Sequence, residues 1–168
     1  MSFQASELAD QLQKIISGKR WLILGVGNSL LGDDGVGSIL AKELEAELGR
    51  EKVRDGGVAP ENFLSWVEKF HPDVLIIIDS MEFNKSPGSI GIFSFKELSW
   101  GNISTHSLPL SLLWEYLYQR GVKEGYIIGI QPGELKKAGE LSPAVEEAKQ
   151  LVKKIFVNLI KEQEIGSV

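Results

Sequence analysis

Two adjacent acids, Asp33 and Asp34, follow an apolar run and a glycine-rich turn in the stretch Trp21 to Gly37, WLILGVGNSLLGDDGVG. One acid here has an ordinary structural use, because aspartate is favoured at the N-cap and in the first turn of a helix, where it meets unpaired amides. A cap needs only one acid, so Asp33 is read as that cap or first-turn acid and Asp34 remains for chemistry. A third acid, Asp79, closes the apolar run Val74 to Ile78, and His106 stands at the centre of the polar loop Gly101 to Leu108. Brought together, Asp34, Asp79 and His106 form a mixed carboxylate and imidazole set. Such a set suits a borderline divalent ion such as Ni²⁺ or Zn²⁺, with positions left open for substrate. Spacing alone does not bring three distant residues together. The triplet Asp55-Gly56-Gly57 is a turn signal first and a functional loop second. The other histidine, His71, precedes Pro72 at the entrance of the Val74 run and is read as structural.

The elements that would have to converge these residues can be read from periodicity. Trp21 to Leu24 is wholly apolar, the mark of a strand buried on both faces of a parallel sheet. Val36, Ile39, Leu40, Leu44 and Leu48 then fall at helical spacing, with Gly49 as the stop. Before this unit, Glu7 to Ile16 carries Leu8, Leu12, Ile15 and Ile16 on one helical face; after it come a short strand at Lys52-Val53-Arg54 and a helix from Pro60 to Phe70. Val74 to Ile78 is the strongest strand. Ser89 to Phe95, after the turn Pro87-Gly88, suits an antiparallel edge strand. A helix from Leu110 to Arg120, a strand from Gly125 to Ile130 and a long helix opened by Ser142 as cap and Pro143 complete the pattern. The lysines and glutamates of that last helix read as its solvated face. The alternation implies an α/β fold: a three-layer αβα sandwich with a mostly parallel twisted sheet of about five strands and one antiparallel edge strand. Ligands of such sheets gather at the carboxyl ends of the strands, which is where Asp79 stands.

Gly25-Val26-Gly27 supplies the first two glycines of the dinucleotide pattern G-x-G-x-x-G, but Leu30 holds the third position. Two carboxylates at the head of the next helix would also repel a phosphate. A chain of 168 residues is expected to form one domain over residues 1–168 and to bury roughly 70% of its unfolded surface. A net charge of −5 and a pI near 5.2 argue against a nucleic-acid or anionic-membrane partner. There is no cysteine, which excludes disulfides, a thiolate nucleophile and thiolate-held zinc. No apolar run approaches the about 20 residues that cross a bilayer, and the first 16 residues are amphipathic rather than a signal peptide. A cytoplasmic protein is expected.

GVGNSLLGDDGVG, Asp55-Gly56-Gly57, LIIIDS ending in Asp79-Ser80, STHSL around His106 and GIQP at Gly129 to Pro132 occur in one order over nearly the whole chain. In this combination the chain resembles the hydrogenase maturation endopeptidases, and its GIQP segment is most similar to the branch serving hydrogenase-3-type enzymes. The resemblance implies a nickel-dependent protease that trims a short C-terminal peptide from the large-subunit precursor of nickel-iron hydrogenase after nickel insertion. It implies that Asp34, Asp79 and His106 contact the metal, Asp34 standing where some relatives carry glutamate. The Asp55 loop would aid recognition and cleavage, with Asp55 moving a proton or orienting substrate. Nickel would arrive with the precursor, and zinc or cadmium could substitute for it. A monomer is expected. Two other readings stand beside this one: a non-catalytic chaperone for the precursor or its nickel, and a nucleotide-binding module using Gly25, Gly27 and Asp55.

Overall fold

The computed structural model describes residues 4–97, 104–105, 110–133 and 139–166. Its strands are β1 (Trp21–Gly25), β2 (Val53–Asp55), β3 (Val74–Glu82), β4 (Ile90–Ser94), β5 (Ser104–Thr105) and β6 (Glu124–Ile130). Its helices are α1 (Ala5–Ile16), α2 (Val36–Leu48), α3 (Leu64–Phe70), α4 (Leu110–Gln119) and α5 (Pro143–Gly166). The sheet runs β2-β1-β3-β6-β4, with β5 beside the end of β3. β1, β2, β3 and β6 are parallel. β4 lies antiparallel on the edge against β6, as expected from its turn signal.

Continuous apolar runs form these strands because both faces of the sheet are covered. Trp21, Ile23, Val74, Ile76 and Ile78 join one core with the apolar faces of α1, α2 and α5. Leu22, Leu24, Leu75 and Ile77, the alternate residues, join a second core with Val67 of α3 and Leu110 and Leu117 of α4. The alternation is the strand's period of two, and it produces the three layers. α2 carries the chain from β1 to β2 on one side, whereas β6 and β4 extend the sheet on the far side of β3. The direction of winding therefore reverses between β1 and β3. Their carboxyl ends form the crevice in which sheets of this type place ligands.

Three expectations change. A 3₁₀ turn, Gly32–Gly35, precedes α2 and carries both Asp33 and Asp34, and another, Pro60–Phe63, precedes a shortened α3. β3 does not end at Ile78: Asp79 and Ser80 continue the ladder with Gly129 and Ile130, and Met81 and Glu82 pair with β5. The face of α5 is also less uniformly solvated than its composition suggests. Lys149 is buried, with Nζ 2.6 Å from Glu43 of α2 and 3.1 Å from Glu146. Burial favours the neutral amine, but its bonds to Glu43 and Glu146 outweigh that and hold its pKa above the ordinary lysine value. His71 takes a left-handed conformation, φ 52°, and ends α3, so its position is structural. Among the described residues no helix is long and apolar enough to cross a membrane.

Candidate functional site

The end of β1 is fastened to the end of β3 by the backbone. Val26 N–H donates to the Ile78 carbonyl at 2.9 Å. Gly37, in the first turn of α2, packs on the same carbonyl so closely that a Cβ there would lie 2.1 Å from its oxygen. Only glycine fits. This contact positions the two acids: Asp34 lies one turn before Gly37, and Asp79 immediately follows Ile78. The backbone segments that carry the two acids therefore lie together at the carboxyl ends of β1 and β3. Asp79 is 1% exposed, whereas Asp34 is half-buried. Asp34 Oδ2 accepts from the Asn28 amide at 3.0 Å, and Asn28 Oδ1 accepts from the Leu30 amide at 3.0 Å. The loop from Asn28 to Asp34 is thus closed on itself by its own polar groups.

Asp33, one residue earlier, has another use. It does not cap its own helix, since Gly35 occupies that position without any side-chain bond. It is 1% exposed and reaches across the chain. Its carboxylate accepts from Ser142 N–H at 2.7 Å, Ser142 Oγ–H at 2.8 Å and Gly133 N–H at 2.9 Å. Ser142 does stand at the head of α5, where its carbonyl accepts from Glu146 N–H. Its hydroxyl, however, is directed to Asp33 rather than to its own helix. Asp33 is a latch between α2 and α5.

Asp55 ends β2 opposite Gly25 of β1, and Gly25 pairs on its other side with Ile78. Two strand spacings, about 10 Å, separate Asp55 from the β3 end. Asp55 Oδ1 accepts from Ser38 Oγ–H of α2 at 2.7 Å and from Gly57 N–H at 2.9 Å. Gly56 N–H donates to Gly25 O at 2.8 Å, and Gly27 N–H to Gly57 O at 2.9 Å. The Asp55-Gly56-Gly57 loop is therefore bound edge to edge to the loop bearing Asp34. Beside it opens a cleft of about 440 Å³ lined by Lys42, Glu45, Arg50, Arg54, Asp55 and Phe63.

His106 lies outside the described residues. Thr105, which precedes it in sequence, pairs with Met81, two residues beyond Asp79. Among the described residues no three histidine, aspartate or glutamate side chains come together as a cation site. Three supporting residues escape a reading by sequence alone: Ser38, Asn28 and Gln131. The Gln131 side-chain oxygen Oε1 accepts from the Phe83 and Lys85 amides, and its side-chain Nε2–H donates to Glu82, fixing the chain that leaves β3. The one sequence signal for it is the GIQP motif.

The sequence profile of the hydrogenase maturation protease family matches residues 39–159, which include Asp55, Asp79 and His106. The chain belongs to the hydrogenase maturation protease family. It is 33% identical over 140 residues to the hydrogenase 3 maturation protease of Escherichia coli, covering 82% of this chain and 87% of that protein. Its fold is similar to the crystal structure of a hydrogenase maturation protease, HycI, from Thermococcus kodakarensis, with a TM-score of 0.81, 27% identity and coverage of 90% and 99% of the two chains. It is also similar to the hydrogenase maturating endopeptidase HybD of E. coli, with a TM-score of 0.67, 28% identity and coverage of 85% and 93%. The chain is accordingly a peptidase of the endopeptidase type, and the αβα sandwich read from its sequence is the fold these relatives share.

Proposed function

We propose that the protein removes a short C-terminal peptide from the large-subunit precursor of a nickel-iron hydrogenase once nickel has been inserted, acting as a monomer in the cytoplasm. The observation that supports this reading is the packing of Gly37 on the Ile78 carbonyl, which sets the chain segment bearing Asp34 beside the strand segment bearing Asp79. Nickel is treated as part of the substrate. The donors fit that role: two carboxylates, with the imidazole of His106 assigned as the third ligand, suit a borderline divalent ion. A chain without cysteine does not compete with the precursor for thiolate coordination. Zinc or cadmium would suit the same donors.

Asp34 and Asp79 hold the nickel-bearing end of the precursor by charge and place its C-terminal peptide along the crevice. An ion so held supplies Lewis-acid polarisation of the scissile carbonyl or an activated water. Water adds to the carbonyl carbon, the C–N bond breaks, and the amine leaves with a proton. Asp55, whose carboxylate is aimed by Ser38 and Gly57, orients the substrate or carries that proton. The test is the intact mass of a nickel-loaded precursor after incubation with wild-type protein or with His106→Ala. The wild type is expected to shorten the precursor and the variant to leave it whole. Normal processing by His106→Ala would remove His106 from the site, and a stable complex with no change in mass would mean a chaperone rather than a protease.

A further inference from the structure

The outer edge of the sheet carries charge that takes no part in the crevice of Asp34 and Asp79. β2 is the outermost strand, and the cleft of about 440 Å³ lies beside it, with Lys42, Glu45, Arg50, Arg54, Asp55 and Phe63 on its walls. α2 sets its direction. Ser38, early in α2, donates to Asp55 at the end of β2, whereas Gly49, just past the helix, accepts from Val53 at the start of the strand. Lys42 is one turn beyond Ser38 on the same helix face. The cleft therefore runs from Asp55 past Lys42 toward Arg50.

Three cations and two acids line it, and their charges are not equally free. Glu45 is paired with Arg50, Oε1 to Nη1 at 2.9 Å. Asp55 stands at the crevice end and takes two hydrogen bonds on Oδ1. Lys42 is exposed and has no carboxylate partner among the described residues. No acid neutralises Arg54 either: its Nε–H donates to the Arg50 carbonyl at 2.7 Å, and its guanidinium lies 5.5 Å from the centre of the Trp66 ring. Beyond Asp55 the uncancelled charge of the cleft is thus cationic, in a protein whose net charge is −5. Such a cleft draws in an anion and repels a cationic stretch.

We propose that this cleft binds the C-terminal carboxylate of the precursor and so holds the extension that the protease removes. This rests on the protease reading above. Any protein trimmed at its C-terminus ends in a carboxylate, whatever the sequence of the extension, so the reaction itself supplies the anion. Shape selects the same part of the substrate. One side of the scissile bond is joined to a folded subunit and the other has a free end; a cleft of this volume takes a ligand the size of a few residues, so only the free end enters it. With the nickel-bearing side held at Asp34 and Asp79, about three residues of extended chain cover the roughly 10 Å from the end of β3 to Asp55. Past Asp55 the chain end meets the Lys42 ammonium and the Arg54 guanidinium, both donors suited to a carboxylate.

The experiment measures steady-state cleavage of two nickel-loaded precursors, one with its native C-terminal carboxylate and one ending in a carboxamide. The enzymes are wild type, the double variant Lys42→Gln, Arg54→Gln, the charge-keeping double variant Lys42→Arg, Arg54→Lys, and Lys14→Gln as a distant exposed control. Blocking the carboxylate is expected to raise the wild-type KM about tenfold with kcat unchanged. The glutamine variant should show that raised KM on the native precursor, at a melting temperature within a few degrees of wild type, and no further rise on the carboxamide. The charge-keeping and Lys14 variants should stay close to wild type. Equal wild-type KM values for the two precursors overturn the proposal. So does a glutamine variant that keeps the wild-type KM, or one whose KM rises while wild type ignores the carboxamide, since the cleft would then serve another part of the precursor. A precursor left whole by the wild type defeats the protease reading instead, and calorimetric binding of the two precursors then decides the cleft by the same comparison.

Discussion

Two charged regions of this molecule handle their charge in opposite ways. Between α2 and α5, Lys149 and Lys153 contact Glu43, and Lys149 also contacts Glu146. Cation and carboxylate are used up on each other, and the result is a clamp between helices. At the carboxyl ends of β1 and β2, Asp34 and Asp55 take hydrogen bonds only from neutral groups, the Asn28 amide, the Ser38 hydroxyl and the Gly57 amide, with no lysine or arginine partner among the described residues. Those bonds aim the carboxylates without cancelling their charge. Asp33 shows where the line falls: it too has neutral partners, but three donors saturate its buried carboxylate, and it serves as structure. Charge left uncancelled at a crevice is charge available to a cation that arrives with the substrate.

The largest effect expected from this contrast is on Asp79→Asn or Asp34→Asn, which keep the shape and remove the charge. Processing of the precursor should fall by about a thousandfold or more, with the melting temperature within a few degrees of wild type, as followed by mass spectrometry and circular dichroism. If either variant processes normally, the crevice acids are not functional and the contrast fails. Asp33→Ala should do the reverse. It leaves two backbone amides and a hydroxyl without their acceptor and should cost about 2–4 kcal/mol in denaturant unfolding; a change under about 0.5 kcal/mol would mean that it is no latch. A smaller loss, about 1–2 kcal/mol, is expected for Lys149→Ala, because Glu43 keeps Lys153 as a partner.

The pH dependence of that last difference sharpens the comparison further, and its effect is the smallest. The Lys149 pKa is raised above its ordinary 10.5, so its contribution is full below that value and lost as pH climbs through the folded-state pKa. Glu146 is lowered from 4.5, first by its bond from Gln150 and then by Lys149. Its contribution is full above 4.5 and fades as pH falls through the lower folded-state value. Because Glu146 is 45% exposed, solvent reduces this part to about a few tenths of a kcal/mol. Unfolding curves of wild type and Lys149→Ala should therefore differ by a constant amount from about pH 5 to 10, approach each other above that range and close by only about a few tenths of a kcal/mol below it.

The fold is legible in the sequence because strands buried on both faces must be apolar throughout, as Trp21 to Leu24 and Val74 to Ile78 are, and because the helices between them keep one apolar stripe. The crevice is legible for the same reason, since ligands of such sheets gather at the carboxyl ends of the strands and Asp79 follows the apolar run of the central one. What remains hidden depends on partners far along the chain. Asp33 reads as a local cap because its true partners are 100 and 109 residues away, and Lys149 reads as solvated because Glu43 is 106 residues away. β3 extends past Ile78 only because β6 and β5 offer it a ladder. His106 lies beyond the described residues, so its place in the site stands on resemblance and on the pairing of Thr105 with Met81.

The most direct measurement compares one precursor in two states, loaded with nickel and free of it, each incubated with the wild-type protein and weighed intact. Loss of a C-terminal peptide from the loaded form alone is the predicted result, as the proposed role of Asp34 and Asp79 in holding the precursor's nickel requires. Equal cleavage of both forms, or of neither, would contradict it.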